Sequence, residues 1–263
     1  MVHGDTIQLT GFAGASLIGF MLVLCRVGGL FVLAPGFSSK LIPARVKFIM
    51  AVAISLALTP MAMHGHQVGT NAGDLATLIV KELLVGLAFA MPLAIVAAGI
   101  QAGASLLDTI IGFSFAATID PINNSQNAVL AQLYSLFAVM VFMLTGGDTV
   151  MLEGLAASYR VMPIDAYPDI TDLAAQIVPL AGQIFVIGLE IAAPVVIALV
   201  VTDAAFGLIA RAVPQMNVFF VGLPAKILLG FAVIGASLPF VAARVSDQLE
   251  ASVYTALRAL NAA

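Results

Sequence analysis

The chain has 263 residues, of which 62% are hydrophobic and only 9% charged, against about 25% charged residues in soluble domains. No core of this size hides so much apolar surface, so lipid or other protein must cover the remainder, which excludes an ordinary water-soluble domain. The net charge of −4, with lysines and arginines scattered singly, offers no face for a phosphate backbone and excludes nucleic acid as a partner.

Apolar runs near the length that crosses a bilayer, about 20 residues, occur at 11–34, 48–63, 83–107, 128–145, 177–203 and 218–243. They predict six helices. The opening segment, MVHGDTIQLTGF, has no Lys or Arg ahead of the first run, which argues against a cleavable signal peptide and keeps that run in the mature protein. It contains the only cysteine, Cys25, which excludes an internal disulfide or thiolate metal site and reads as a small buried hydrophobe. Pro35, Gly36 and Pro43 end the first run, and the link that follows carries Lys40, Arg45 and Lys47 without an acid.

Gly65 to Gly73 separate the second run from the third, which Lys81 and Glu82 directly precede. Asp120-Pro121-Ile122-Asn123-Asn124 forms the next break, and Gly146-Gly147-Asp148 the one after it. An acidic, Pro-containing loop over 145–175 holds Asp148, Glu153, Asp165, Asp169 and Asp172 against Arg160. By the positive-inside rule the basic link faces the cytoplasm and the acidic loop the opposite side. Glu190 and Pro194 interrupt the fifth run, and Arg26 sits well inside the first. Such ions cost about 2.5–3.5 kcal/mol each at a bilayer centre, so they are expected to face protein, water or a partner. Arg26, Glu190 and Asp203 are the candidates for buried charge pairing.

Chemistry is sparse. His3, His64 and His66 are the only histidines, and His64-Gly65-His66 lacks a third ligand, so the pair reads as a loop and no cofactor or metal is expected. Gly146-Gly147-Asp148 resembles the GxGD element of intramembrane aspartyl proteases, but Thr145 precedes it and no second aspartate has the matching context. The chain is expected not to be an enzyme. Asp203, Gly207 and Arg211 share a helical face, open to a structural ion pair or a proton relay. Asp108, Asp203 and Arg211 together would suit a proton-coupled secondary transporter, with Asp120 read as a turn or helix cap. Gly99 and Gly103 permit close helix packing.

Three stretches, residues 25–60, 112–164 and RAVPQMNVFFVGLPAK at 211–226, together resemble the FliR/SctT family of type III export-gate subunits. The likeness covers nearly the whole chain in order. Arg211, Pro214, Gln215, Met216 and Asn217 followed by Phe219, Gly222 and Pro224 are closer to the flagellar branch than to the virulence-type secretion branch, which stays the alternative.

The resemblance implies an all-α membrane protein of bent helical hairpins, with a FliP-like unit over 1–172 fused to a FliQ-like hairpin and tail over 173–263. On that reading the apolar runs are largely packing faces rather than six crossings. The implied function is a structural pore subunit of the flagellar export gate, in the bacterial inner membrane at the flagellar basal body. Implied partners are FliP, FliQ, FlhB and FlhA, unfolded exported substrates and membrane lipid. Gly112, Phe113, Ser114, Phe115, Ala116, Ala117, Thr118, Ile119, Asp120 and Pro121 correspond to the family's pore plug, where small residues allow movement and Phe113, Phe115 and Ile119 exclude water. Residues 211–224 correspond to the hairpin bend and assembly element, with Pro214 stopping one helix and Pro224 starting the next.

Overall fold

The computed structural model describes residues 5–38, 42–64, 72–113 and 129–262. The elements run α1 (Asp5–Leu33), α2 (Ala44–Ala62), α3 (Ala72–Ile111), α4 (Val129–Leu144), α5 (Gly147–Val161), α6 (Ile170–Ile177), a 3-10 turn (Val178–Gly182), α7 (Gln183–Ala212) and α8 (Val218–Ala262). No strand occurs among the described residues; the protein is an all-α membrane protein. Four helical stretches are long and apolar enough to cross a bilayer, or five if α4 and α5, broken at Gly146, count as one.

Backbone chemistry sets the breaks. The chain leaves α1 through Gly36, whose φ of +84° suits a residue without a Cβ. Gly146, at φ +74°, separates α4 from α5. The last residue before Pro214, Val213, is forced out of the helical region to φ −129° and ψ 77°, so α7 stops at Ala212. Asp169 starts α6 by accepting hydrogen bonds from the amides of Thr171 and Asp172.

Three expectations are corrected. Lys81 and Glu82 do not precede the third helix; α3 starts at Ala72 and carries both inside it. The acidic stretch 145–175 is not wholly loop, because residues 147–161 form α5, with Met151, Gly154, Leu155, Ser158 and Tyr159 buried on one face. This helix was hidden by its polar outer face, since a search for unbroken apolar runs passes over an amphipathic helix. Pro224 does not start the last helix, which begins at Val218 and holds Pro224 in its second turn.

The chain divides into two compact units. One comprises residues 1–94, 146–181 and 249–263, and the other 95–145 and 182–248. In the first, α1 packs along α2 and lies against α3 at Gly29 and Gly86. A Cβ on Gly86 would run into the carbonyl oxygen of Arg26, and one on Gly29 would lie 2.8 Å from that of Leu83. In the second, Gly103 meets the backbone of Gly188 in the same manner, while Gly99 sits on Ile187. Both contacts are backbone to backbone, the geometry that small residues allow between apolar helices.

Candidate functional site

The close approach of α1 and α3 brings Arg26 and Glu82 together in the first unit, both 0% exposed. Arg26 donates from Nε to Glu82 Oε2 at 2.5 Å and from Nη2 to Oε1 at 2.9 Å, a bidentate fork that a lysine could not make. Its remaining donors reach Ser158 Oγ at 3.2 Å and the carbonyl of Met162 at 2.9 Å. The guanidinium lies 4.0 Å from the centre of the Tyr159 ring, so that residue contributes a π face; its buried hydroxyl has no partner among the described residues. Lys81 Nζ shares Glu82 Oε1 with Arg26, at 2.6 Å, and donates to the carbonyls of Pro163 and Ile164 at 3.0 and 2.7 Å.

This junction supplies donors to three carbonyls just past the C-terminal end of α5, of which that of Pro163 also accepts from the Ala166 amide at 3.2 Å. It joins α1, α3 and the exit from α5 by one carboxylate and two cations. Arg26 therefore pairs with Glu82 and not with Glu190 or Asp203, which belong to the other unit. Sequence alone flagged Lys81 and Glu82 as ions just before an apolar run, but nothing in their spacing named Arg26 as their partner; Ser158 and Tyr159 carried no signal.

The second unit holds the start of the stretch matched to the pore plug. Gly112 ends α3 at φ +106°, and its amide and that of Phe113 both donate to the carbonyl of Asp108. A Cβ on Gly112 would lie 2.7 Å from Leu223 Cδ1, the end of a side chain that can turn away, so it is the positive φ that favours glycine here. The Phe113 ring stands edge-on to Phe231, centroids 5.8 Å apart. Ser114, Phe115, Ala116, Ala117, Thr118, Ile119, Asp120 and Pro121 lie outside the described residues.

The buried carboxylate of Asp108 accepts from the amides of Leu130 and Ala131, at 3.0 and 3.2 Å, in the first turn of α4. It thus caps a helix that starts 21 residues further along the chain, tying the end of α3 to the start of α4. This is a structural use of the aspartate that transporter chemistry would assign to proton carriage. Asp108→Ala is expected to destabilise the second unit by about 0.5–2 kcal/mol, the range for loss of an N-cap, read as a lowered unfolding temperature; Asp108→Asn, which keeps an acceptor, should lose less.

In the hairpin of α7 and α8, Asp203 pairs with Lys226 at 2.8 Å, both partly exposed, so Lys226 rather than Arg211 is its cation. Arg211, Pro214, Gln215 and Asn217 are exposed around the turn, Met216 is half-buried, and Gly222 is buried with Phe206 opposite. Phe219 and Phe220 stack edge-on at 6.2 Å. Glu190 is half-buried on α7. Among the described residues no three His, Cys, Asp or Glu side chains gather as a metal site would require.

The exposed carboxyl of Asp169 is held below the usual carboxylate range by the amides of Thr171 and Asp172. A group depressed by folding stabilises fully above its unfolded pKa, and that contribution is lost as pH falls through the folded value. Hydrogen exchange at the Thr171 amide is therefore expected to lose protection on acidification in the wild type. With Asp169→Asn, which caps without titrating, it should not.

Residues 17–252 match the family described as "Bacterial export proteins, family 1". The chain is 32% identical to the flagellar biosynthetic protein FliR of Bacillus subtilis over 220 residues, 82% of this chain and 84% of that protein. It is 26% identical to the FliR of Caulobacter vibrioides over 228 residues, 86% and 91% of the two chains. The surface presentation of antigens protein SpaR of Shigella flexneri is 29% identical over 216 residues, covering 81% of this chain and 82% of its own.

Proposed function

The chain belongs to the bacterial export proteins, family 1, and from that premise we propose that it is a pore subunit of the flagellar type III export gate. It lies on this reading in the bacterial inner membrane at the flagellar basal body. It is a non-enzymatic element that helps form and gate the channel for unfolded flagellar substrates, surrounded by FliP-, FliQ-, FlhB- and FlhA-type subunits. Its own part is a FliP-like unit over 1–172 fused to a FliQ-like hairpin over 173–263. Residues 112–121 plug the channel, and 211–224 form the bend through which it meets neighbours.

The observation that best supports this is the apolar surface left uncovered on helices that also carry charge. Phe185, Val201, Leu208, Phe220 and Leu228 are all more than half exposed, on the two helices that carry Glu190, Asp203, Arg211 and Lys226. Lipid would cover the first set at the expense of the second; neighbouring protein subunits cover both. The match to SpaR favours, as a second reading, the corresponding subunit of a virulence-type secretion system.

Mild-detergent purification of the tagged chain tests the proposal. The expected product is an assembly whose mass includes FliP-like and FliQ-like subunits. A monomer that transports a solute by itself in vesicles would replace the gate by a transporter.

A further inference from the structure

The candidate spans differ sharply in where their charges fall. α3 carries Asp74, Lys81, Glu82 and Asp108, α7 carries Glu190, Asp203 and Arg211, and α8 carries Lys226, Arg244, Asp247, Glu250 and Arg258. In α2 the only charges are Arg45 and Lys47, both in its first turn. From Phe48 to Ala62 the helix has no ionisable side chain.

Its packing is the sparsest of the four. Only Ala51, Ser55 and Ala62 are buried, a narrow strip of small side chains, and 11% of its apolar stretch is buried against 61% in α3, 33% over residues 170–212 and 17% in α8. Phe48, Ile49 and Leu56 are 63%, 66% and 59% exposed. The hydroxyls of the helix need no water, because Ser55 Oγ donates to the carbonyl of Ala51 and Thr59 Oγ1 to that of Ser55, both at 2.6 Å. At the helical rise the 19-residue helix spans roughly 28 Å, its uncharged body from Phe48 to Ala62 about 22 Å and its cationic first turn the rest, against a hydrocarbon thickness of about 30 Å.

From these observations we infer that α2 is a lipid-facing crossing of this chain, its exposed face in acyl chains and Arg45 and Lys47 in the anionic headgroup layer. Length, absence of charge along the body and self-satisfied hydroxyls meet the demands of hydrocarbon. The exposed Arg45 and half-buried Lys47 at one end supply the charge complementarity that selects phosphatidylglycerol-type headgroups. A protein partner would require none of these together. The α4 helix is also free of charge, but its first turn is fastened by the buried Asp108.

The natural absence of tryptophan makes the test direct. Single variants Phe48→Trp, Ile49→Trp and Leu56→Trp, with Phe31→Trp as the buried control, are purified with their partner subunits. Each assembly is placed in vesicles of phosphatidylcholine and phosphatidylglycerol, with one lipid brominated on its acyl chains. After subtraction of the partners' fluorescence, positions 48, 49 and 56 should be quenched and position 31 should not. Bromines deep in the chains should quench Leu56→Trp more than Phe48→Trp. Near position 48 the brominated anionic lipid should be preferred about fivefold per cation, and Arg45→Gln with Lys47→Gln should abolish the preference. If one variant fails to co-purify, the other two exposed positions decide. No quenching at the exposed positions of an intact assembly would mean that a neighbouring subunit covers α2, which overturns the inference and leaves the export reading standing.

Discussion

Glu82→Ala is expected to cost the protein about 3–5 kcal/mol, the usual consequence of removing one partner from a buried ion pair. Arg26 and Lys81, 0% and 4% exposed, would then share a desolvated site without the carboxylate that pairs with both. Against a total stability of about 5–15 kcal/mol, that should bring the unfolding temperature in mild detergent down by roughly 10 °C or more, or prevent accumulation of the chain. Glu82→Gln, which preserves the hydrogen-bonding shape while removing the charge, should fall between the two.

Replacing Arg26, Glu82 and Lys81 together by apolar residues of similar volume is often neutral for an isolated buried pair. Here it should remain destabilising. The two cations also donate to the carbonyls of Met162, Pro163 and Ile164; the Pro163 carbonyl keeps the Ala166 amide, but those of Met162 and Ile164 would lose their donors, at about 1–3 kcal/mol each. An apolar triple variant as stable as the wild type would show that these backbone bonds contribute nothing net.

Deletion of residues 112–119 is the second large effect. Under the plug proposal it should leave co-purification with the partner subunits unchanged while making the inner membrane leak small ions or solutes, because an apolar constriction closes a channel by excluding water. The anchors of the segment in the described structure are the strained glycine at 112 and Phe113 set against Phe231. An assembled gate with wild-type permeability would remove the plug role from these residues. Asp108→Ala is the informative companion, since it loosens the tie between α3 and α4 without shortening the chain.

Much was legible because membrane-protein sequences advertise their solvent. The apolar runs announced helices, and Pro214 ended α7 where a residue before proline cannot remain helical. An arginine within an apolar run announced a protein-facing environment. The helix over 147–161 was missed because its composition is that of a surface helix, and Pro224 was misread as a start because proline is tolerated early in a helix as well as at its first position.

By itself the sequence determined the class of the protein: helical, apolar, lacking a metal-ligand constellation in its spacing, and broken at residues whose backbone leaves no other choice. Those properties are local, set by side-chain polarity and by φ preferences within a few residues. Which carboxylate answers Arg26 was decided only by tertiary structure, because Glu82 lies 56 positions away and becomes its partner through the bare backbones of Gly29 and Gly86. The pairing of Asp203 with Lys226 and the capping of α4 by Asp108 arise likewise from packing. A charge's need for a partner is written in its own desolvation cost, whereas the partner's identity depends on how closely two helices can approach.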